Sequence, residues 1–130
     1  MFVRAFSLIE VMVASALLSV GLAAILTAFS SAAALGSHQE RVTVGMHLAE
    51  ARMEELLLLY PDDDALTFAP HTPLKFSRTG ASVPAGSAAY YDVNWTIGNG
   101  PLARTRRVDV TVTWTEPGGP QRIVFTSHRS

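Results

Sequence analysis

Residues 6–29 read FSLIEVMVASALLSVGLAAILTAF, twenty-four positions among which Glu10 is the only ionisable side chain. As a helix rising about 1.5 Å per residue, the stretch spans roughly 36 Å, enough to cross the hydrocarbon of a bilayer with some tilt. Apolar residues lie on every side, so no single core-facing stripe can be drawn. That is the pattern of a helix surrounded by lipid or by other helices. A cleavable secretory signal is the competing reading, with Arg4 as its basic lead and Ala32-Ala33-Ala34 as its cleavage site. Against it, the apolar run exceeds the roughly 7–15 residues of such signals, and a carboxylate sits early in it.

The rest of the composition fits one small domain behind that stretch. The chain has 130 residues, ten basic and eleven acidic side chains, and a formal charge of −1. This is one domain's worth of chain, and its charge balance lacks the basic excess of a nucleic-acid binder. The absence of cysteine excludes a disulfide framework and a thiolate metal site. Only 16% of residues are charged and the mean hydropathy is +0.24, an apolar excess concentrated at the N-terminus. Arg4 precedes the apolar run while His38, Glu40 and Arg41 follow it, so the positive-inside bias favours a cytoplasmic N-terminus.

Beyond Phe29 the helix continues with a new periodicity. Val42, Met46, Ala49, Met53, Leu56 and Tyr60 step by four, three, four, three and four, one face of an amphipathic helix. Glu40, Arg41, His47, Glu50, Arg52, Glu54 and Glu55 take the other faces, and Gly36 and Gly45 weaken the helix modestly. Pro61 followed by three aspartates ends it. Residues 61–89, with four prolines and two glycines, read as a connecting loop with a short strand near residues 74–78. Tyr91, Val93, Trp95 and Ile97 then alternate with polar residues, as do Val108, Val110, Val112 and Trp114, and residues 122–126 form a last strand. The expected fold is α+β: a long N-terminal α-helix, membrane-spanning in its first half and amphipathic in its second, packed on a small antiparallel β-sheet. A sheet of some 40 residues has too little core to stand alone, and the helix stripe supplies the cover.

The start of the chain, Ala5-Phe6-Ser7-Leu8-Ile9-Glu10-Val11-Met12-Val13-Ala14, resembles the prepilin signature of type IV pilins and type II secretion pseudopilins. The resemblance implies a leader of residues 1–5 removed by prepilin peptidase between Ala5 and Phe6, and N-methylation of the new Phe6 amine. Alanine stands before the cut where the family usually has glycine, and Thr27 stands near the place of the proline found in major pilins. Residues 48–56, LAEARMEEL, and 108–114, VDVTVTW, are similar to PilV-type minor pilins and I-type pseudopilins. The organisation so implied is leader 1–5, transmembrane and assembly helix 6–29, amphipathic continuation 30–60, connecting αβ loop 61–89 and antiparallel sheet 90–130.

The resemblance further implies a minor pilin in a tip or priming complex of a type IV pilus, with the adhesion and twitching motility such fibres serve. A minor pseudopilin of a type II secretion system is the alternative, and a DNA-uptake system uses the same helix. Its partners would be other minor and major pilin subunits, prepilin peptidase and the bacterial inner membrane, with the outer domain in the periplasm and no direct nucleic-acid contact. A carboxylate in a membrane helix needs a partner, and in this reading Glu10 meets the Phe6 amine of a neighbour, a cation that methylation preserves. The plainer alternative has Glu10 reaching water at the cytoplasmic interface. A single-pass anchored periplasmic binding domain needs neither residue.

No enzyme is expected. Ser, His and Asp occur without a nucleophile motif, and no cofactor is implied. His38, His47, His71 and His128 lack zinc-ligand spacing. Asp62, Asp63 and Asp64 read as a solvated turn after the helix rather than a calcium site, since three adjacent acids rarely converge on one ion. Arg104, Arg106 and Arg107 read as a wet turn and strand edge, and Trp95 and Trp114 as core anchors of the sheet.

Overall fold

A computed structural model describes residues 7–84 and 86–130. One helix, α1, runs Leu8–Leu58. A 3-10 turn, Asp64–Leu66, and four strands follow: β1 Leu74–Phe76, β2 Tyr91–Asn99, β3 Arg106–Glu116 and β4 Gly119–Arg129. The strands pair antiparallel in the order β1-β2-β3-β4, a meander. The long helix and its antiparallel sheet make the fold α+β, as the periodicities predict. Two compact units divide between Gln39 and Glu40, within α1.

The second unit holds the core. Its centre is Ala49, Met53 and Leu56 of α1, Leu66, the inward residues Tyr91, Val93, Trp95 and Ile97 of β2, and Val108, Val110, Val112 and Trp114 of β3. Strict alternation along β2 and β3 places these on one face because successive strand side chains point to opposite sides. The register sets Val93 against Val112, Trp95 against Val110 and Ile97 against Val108, so the β-branched and aromatic pairs stack in rows.

The helix stripe differs from the expected one at three positions. Gly45 is buried, whereas Met46 is 42% exposed and Tyr60, beyond the end of α1, is 86% exposed. The reason is the size of Trp114. A Cβ at position 45 would lie 3.2 Å from Trp114 Cζ3 and 3.3 Å from Ile123 Cδ1. The buried line is thus Gly45, Ala49, Met53 and Leu56, its two smallest members where the helix comes closest to the indole. Gly45 is a close-approach residue, and the helix weakness it introduces is incidental.

Polar bonds fasten both ends of this helical segment to the sheet. At the near end Arg41 Nε donates to Glu116 Oε1 at 2.9 Å, and Trp114 Nε1 donates to the same oxygen at 2.9 Å. The two charged side chains are only 14% and 8% exposed, and the hydrogen bond to Glu116 pushes the Arg41 guanidinium above its ordinary value. The Tyr91 hydroxyl donates to the Arg41 carbonyl at 3.0 Å. At the far end α1 has no basic residue in its last turn to answer its open carbonyls. Arg129 of β4 does so instead, donating to the carbonyls of Leu56, at 3.0 Å, and Leu59. Arg106, its cross-strand neighbour, donates to the carbonyls of Pro61 and Leu66 at 3.1 Å each. Arg106 is therefore a tether for the post-helix loop and not the wet edge expected of it, while Arg107 pairs with Asp109 at 2.8 Å on the open side.

The same loop is held by Trp95, whose Nε1 donates to the Ala65 carbonyl at 2.9 Å. The Arg52 guanidinium carbon lies 3.9 Å from the Trp95 ring centroid, and the His71 ring stacks on it at 4.7 Å. Asp63 caps the 3-10 turn by accepting from the Ala65 amide at 2.9 Å. The last strand extends to Gly119–Arg129, well beyond the expected residues 122–126, because Pro117 and Gly118 alone make the turn and Glu116 pairs with Gly119. Gly119 adopts φ 121°, a conformation that favours glycine, and Pro120 is tolerated on an edge strand.

Two outcomes test this packing in the full chain in detergent. Gly45→Leu should lower stability by about 1–3 kcal/mol through overpacking, whereas Gly36→Leu, with nothing within 4 Å of its added Cβ, should leave the midpoint unchanged or raised. Equal midpoints for the two variants would contradict the close approach. Burial pushes the Tyr91 phenol above its ordinary 10.0, the nearby Tyr90 adding to the effect. The folded chain then holds this proton more tightly than the unfolded one, so the stabilisation is complete below pH 10 and lost as pH rises from there through the raised folded value. Chemical unfolding should show wild type ahead of Tyr91→Phe by about 1 kcal/mol at pH 7, from the lost hydrogen bond, with the gap closing above pH 10. A gap that stays constant to pH 11 would contradict the burial effect.

Candidate functional site: the N-terminal helical surface

The described part of the first unit, residues 7–39, is helix from Leu8 onward. The Ser7 carbonyl accepts from the amides of Glu10 and Val11 at 2.9 and 3.2 Å, starting the hydrogen-bond ladder that α1 continues. Every residue from 7 to 36 is exposed. Leu8, Ile9, Met12, Leu17, Leu18, Val20, Leu26 and Phe29 show more than half of their surface. A helix so apolar, with a mean hydropathy of 2.2 over its best 18-residue window, has the length and composition to cross a membrane. Exposed apolar patches of this extent mark a surface that lipid or protein must cover.

The hydroxyls of this surface are already used. Ser15, Ser19, Thr27, Ser30, Ser31 and Ser37 donate to carbonyls three or four residues back, those of Met12, Ala16, Ala24, Thr27 (twice) and Ala34, at 2.8–3.0 Å. Back-bonded hydroxyls carry little polar demand into an apolar medium, where unmet donors cost several kcal/mol. Reading the apolar run by hydropathy alone misses these residues. Their signal was present in the sequence, since a serine or threonine within a helix finds its acceptor one turn earlier.

Among the described residues, one group remains without such an answer. Glu10 stands on a helical face with Ile9, Val13, Ala14 and Leu17, which with Ser7 line a shallow, largely apolar groove. The surface can therefore do two things chemically: dissolve in hydrocarbon, and present one negative charge beside an apolar depression. Ala5 and Phe6, the residues flanking the expected cut, lie outside the described residues. Among the described residues no group of three His, Asp or Glu side chains is arranged to hold a metal ion.

The family model described as the prokaryotic N-terminal methylation motif matches residues 2–26, a segment that contains Ala5, Phe6 and Glu10. No curated protein and no solved structure matches the chain. The motif match, together with the apolar helix, supports a type IV pilin-like protein of a pilus or pseudopilus, a structural family whose subunits are processed by prepilin peptidase and assemble with one another.

Proposed function

We propose that this chain is a minor pilin, held in the inner membrane by residues 6–29 and then incorporated into a type IV pilus as part of a tip or priming complex. The observation that carries the reading is a wholly exposed apolar helix with Glu10 as its one charge, lying inside the segment that matches the methylation motif. In this reading prepilin peptidase removes residues 1–5, and Phe6 becomes the N-methylated first residue. The N-terminus starts on the cytoplasmic side, and the sheet-bearing unit lies in the periplasm.

The physics of assembly is a change of solvent. In the membrane the helix is covered by lipid, and in the filament by neighbouring helices, so burial is exchanged at little cost. Association must then come from packing and polar pairing. A carboxylate at the centre of a membrane helix costs about 2.5–3.5 kcal/mol by insertion scales, and one near the helix end, as Glu10 is, costs less but still gains from a partner. Pairing Glu10 with the Phe6 ammonium of a neighbour offsets that cost, and low dielectric strengthens the attraction. The similarity of residues 48–56 and 108–114 to PilV-type minor pilins supports the minor role. Their resemblance to I-type pseudopilins as well makes a minor pseudopilin of a type II secretion system the second reading.

Mass spectrometry of the mature chain should find an N-methylated Phe6 at its start. A mature N-terminus at Met1 or Leu35 would overturn the filament reading. In fractionated cells Glu10→Ala should reduce the filament-borne share at least tenfold, a ratio equivalent to about 1.4 kcal/mol, with the tryptophan near-UV signal of the outer unit unchanged. Wild-type incorporation of that variant would remove Glu10 from the assembly step.

A further inference from the structure

The two edges of the sheet are unlike. β1 is three residues long, and its outer side is closed by the chain itself: the Lys75 carbonyl accepts from the Val83 amide at 2.9 Å, the Ser77 amide donates to the Ala81 carbonyl at 2.8 Å, and Phe76 bridges Ser82. β4 is eleven residues long and pairs with β3 throughout. Nothing lies on its other side in the sheet, and among the described residues no further backbone bond involves residues 119–129. In an antiparallel ladder every second residue turns its N–H and C=O outward, so this edge displays an unpaired row about 34 Å long.

Such edges are ordinarily blunted by shortness, proline, charged side chains or a bulge, and the charges of β4, Arg122 and Arg129, flank an uncharged central run, Ile123 to Ser127. β4 has proline only at position 120, and neither proline nor glycine interrupts residues 121–128, QRIVFTSH. Val124, in the middle of that run, is 47% exposed on the face away from the helix. The edge is long, β-prone and open.

We infer that β4 is a docking edge that accepts one extended strand, antiparallel to itself, from a different subunit of the same assembly. The inference rests on the membrane-anchored filament reading, which requires neighbouring helices to run the same way. A second copy paired antiparallel, β4 against β4, does not meet that requirement. A two-fold axis relates two such edges, and it reverses residues 40–58 of one copy relative to the other. Head-to-tail pairing of β4 with the β1 of another copy preserves direction, because four alternating strands leave the next β1 antiparallel to β4. That edge, however, is already occupied by residues 81–83. The occupant left is a strand from another chain, bound by main-chain hydrogen bonds and selected by side chains at alternate positions.

The test uses the full chain co-expressed with the other subunits that carry the same N-terminal motif. Photoreactive benzoylphenylalanine is placed singly at Val124, at Thr126 and, as a control on the exposed helix face, at Glu54. After irradiation of intact membranes, adducts are mapped by mass spectrometry. The expected result is that Val124 and Thr126 label the same segment of one other subunit, the labelled site moving about two residues toward that segment's N-terminus as the probe moves from 124 to 126, while Glu54 does not label it. No adduct, adducts only with lipid or with copies of this chain, or a labelled site that moves toward the C-terminus would each overturn the docking edge. The same spectra report the mature N-terminus. A methylated Phe6 without the β4 adduct defeats the docking inference alone, whereas an uncut chain defeats the filament reading beneath it.

Discussion

How closely a helix can lie on a twisted sheet is set by the side chains between them, and here that distance is decided at Gly45 against the Trp114 indole. With a bare Cα at this point, the helix settles low enough for Ala49, Met53 and Leu56 to reach the valines of β2 and β3. The polar fastenings depend on the same spacing. Arg41 meets Glu116 and Arg129 meets the carbonyls of the last helical turn only because the helix lies close along its length. Larger side chains under the helix would loosen both ends together, so packing and polar bonding act as one unit.

The arrangement also explains how a small sheet persists without disulfides. A four-stranded meander with one apolar face has a limited core of its own. The helix covers that face, and the sheet in turn supplies the donors that the helix end lacks. Arg106 and Arg129 sit opposite one another on β3 and β4, like charges in a pair that would ordinarily repel. Each has two carbonyl acceptors, which makes the juxtaposition tolerable and converts it into a cap for the end of α1 and a tether for the loop after it.

The architecture was legible in the sequence because it is written in periods. The step from an all-round apolar run to a period of 3.6, and then to alternation by two, names a helix of two characters and a sheet. What was not legible depends on contacts between elements distant in sequence. Gly45 reads as a weak helix residue until Trp114 is seen beneath it. Arg106 reads as a wet edge until the carbonyls of residues 61 and 66 fold over it. Strand ends were misplaced at Pro120 for the same reason, since proline forbids a central strand and permits an edge. At the N-terminal surface, Glu10 stood out by charge, while the back-bonded hydroxyls were hidden because side-chain acceptors do not register in hydropathy.

Those hydroxyls have a mechanical consequence. With Ser15, Ser19, Thr27, Ser30 and Ser31 turned inward on their own backbone, the flank of α1 offers an adjoining rod almost no directional bond over about twenty residues. Sliding such rods past one another along their axes costs only dispersion and shape mismatch, both of which recover after each small step. Packed side by side, such helices would meet little directional resistance to sliding along their axes.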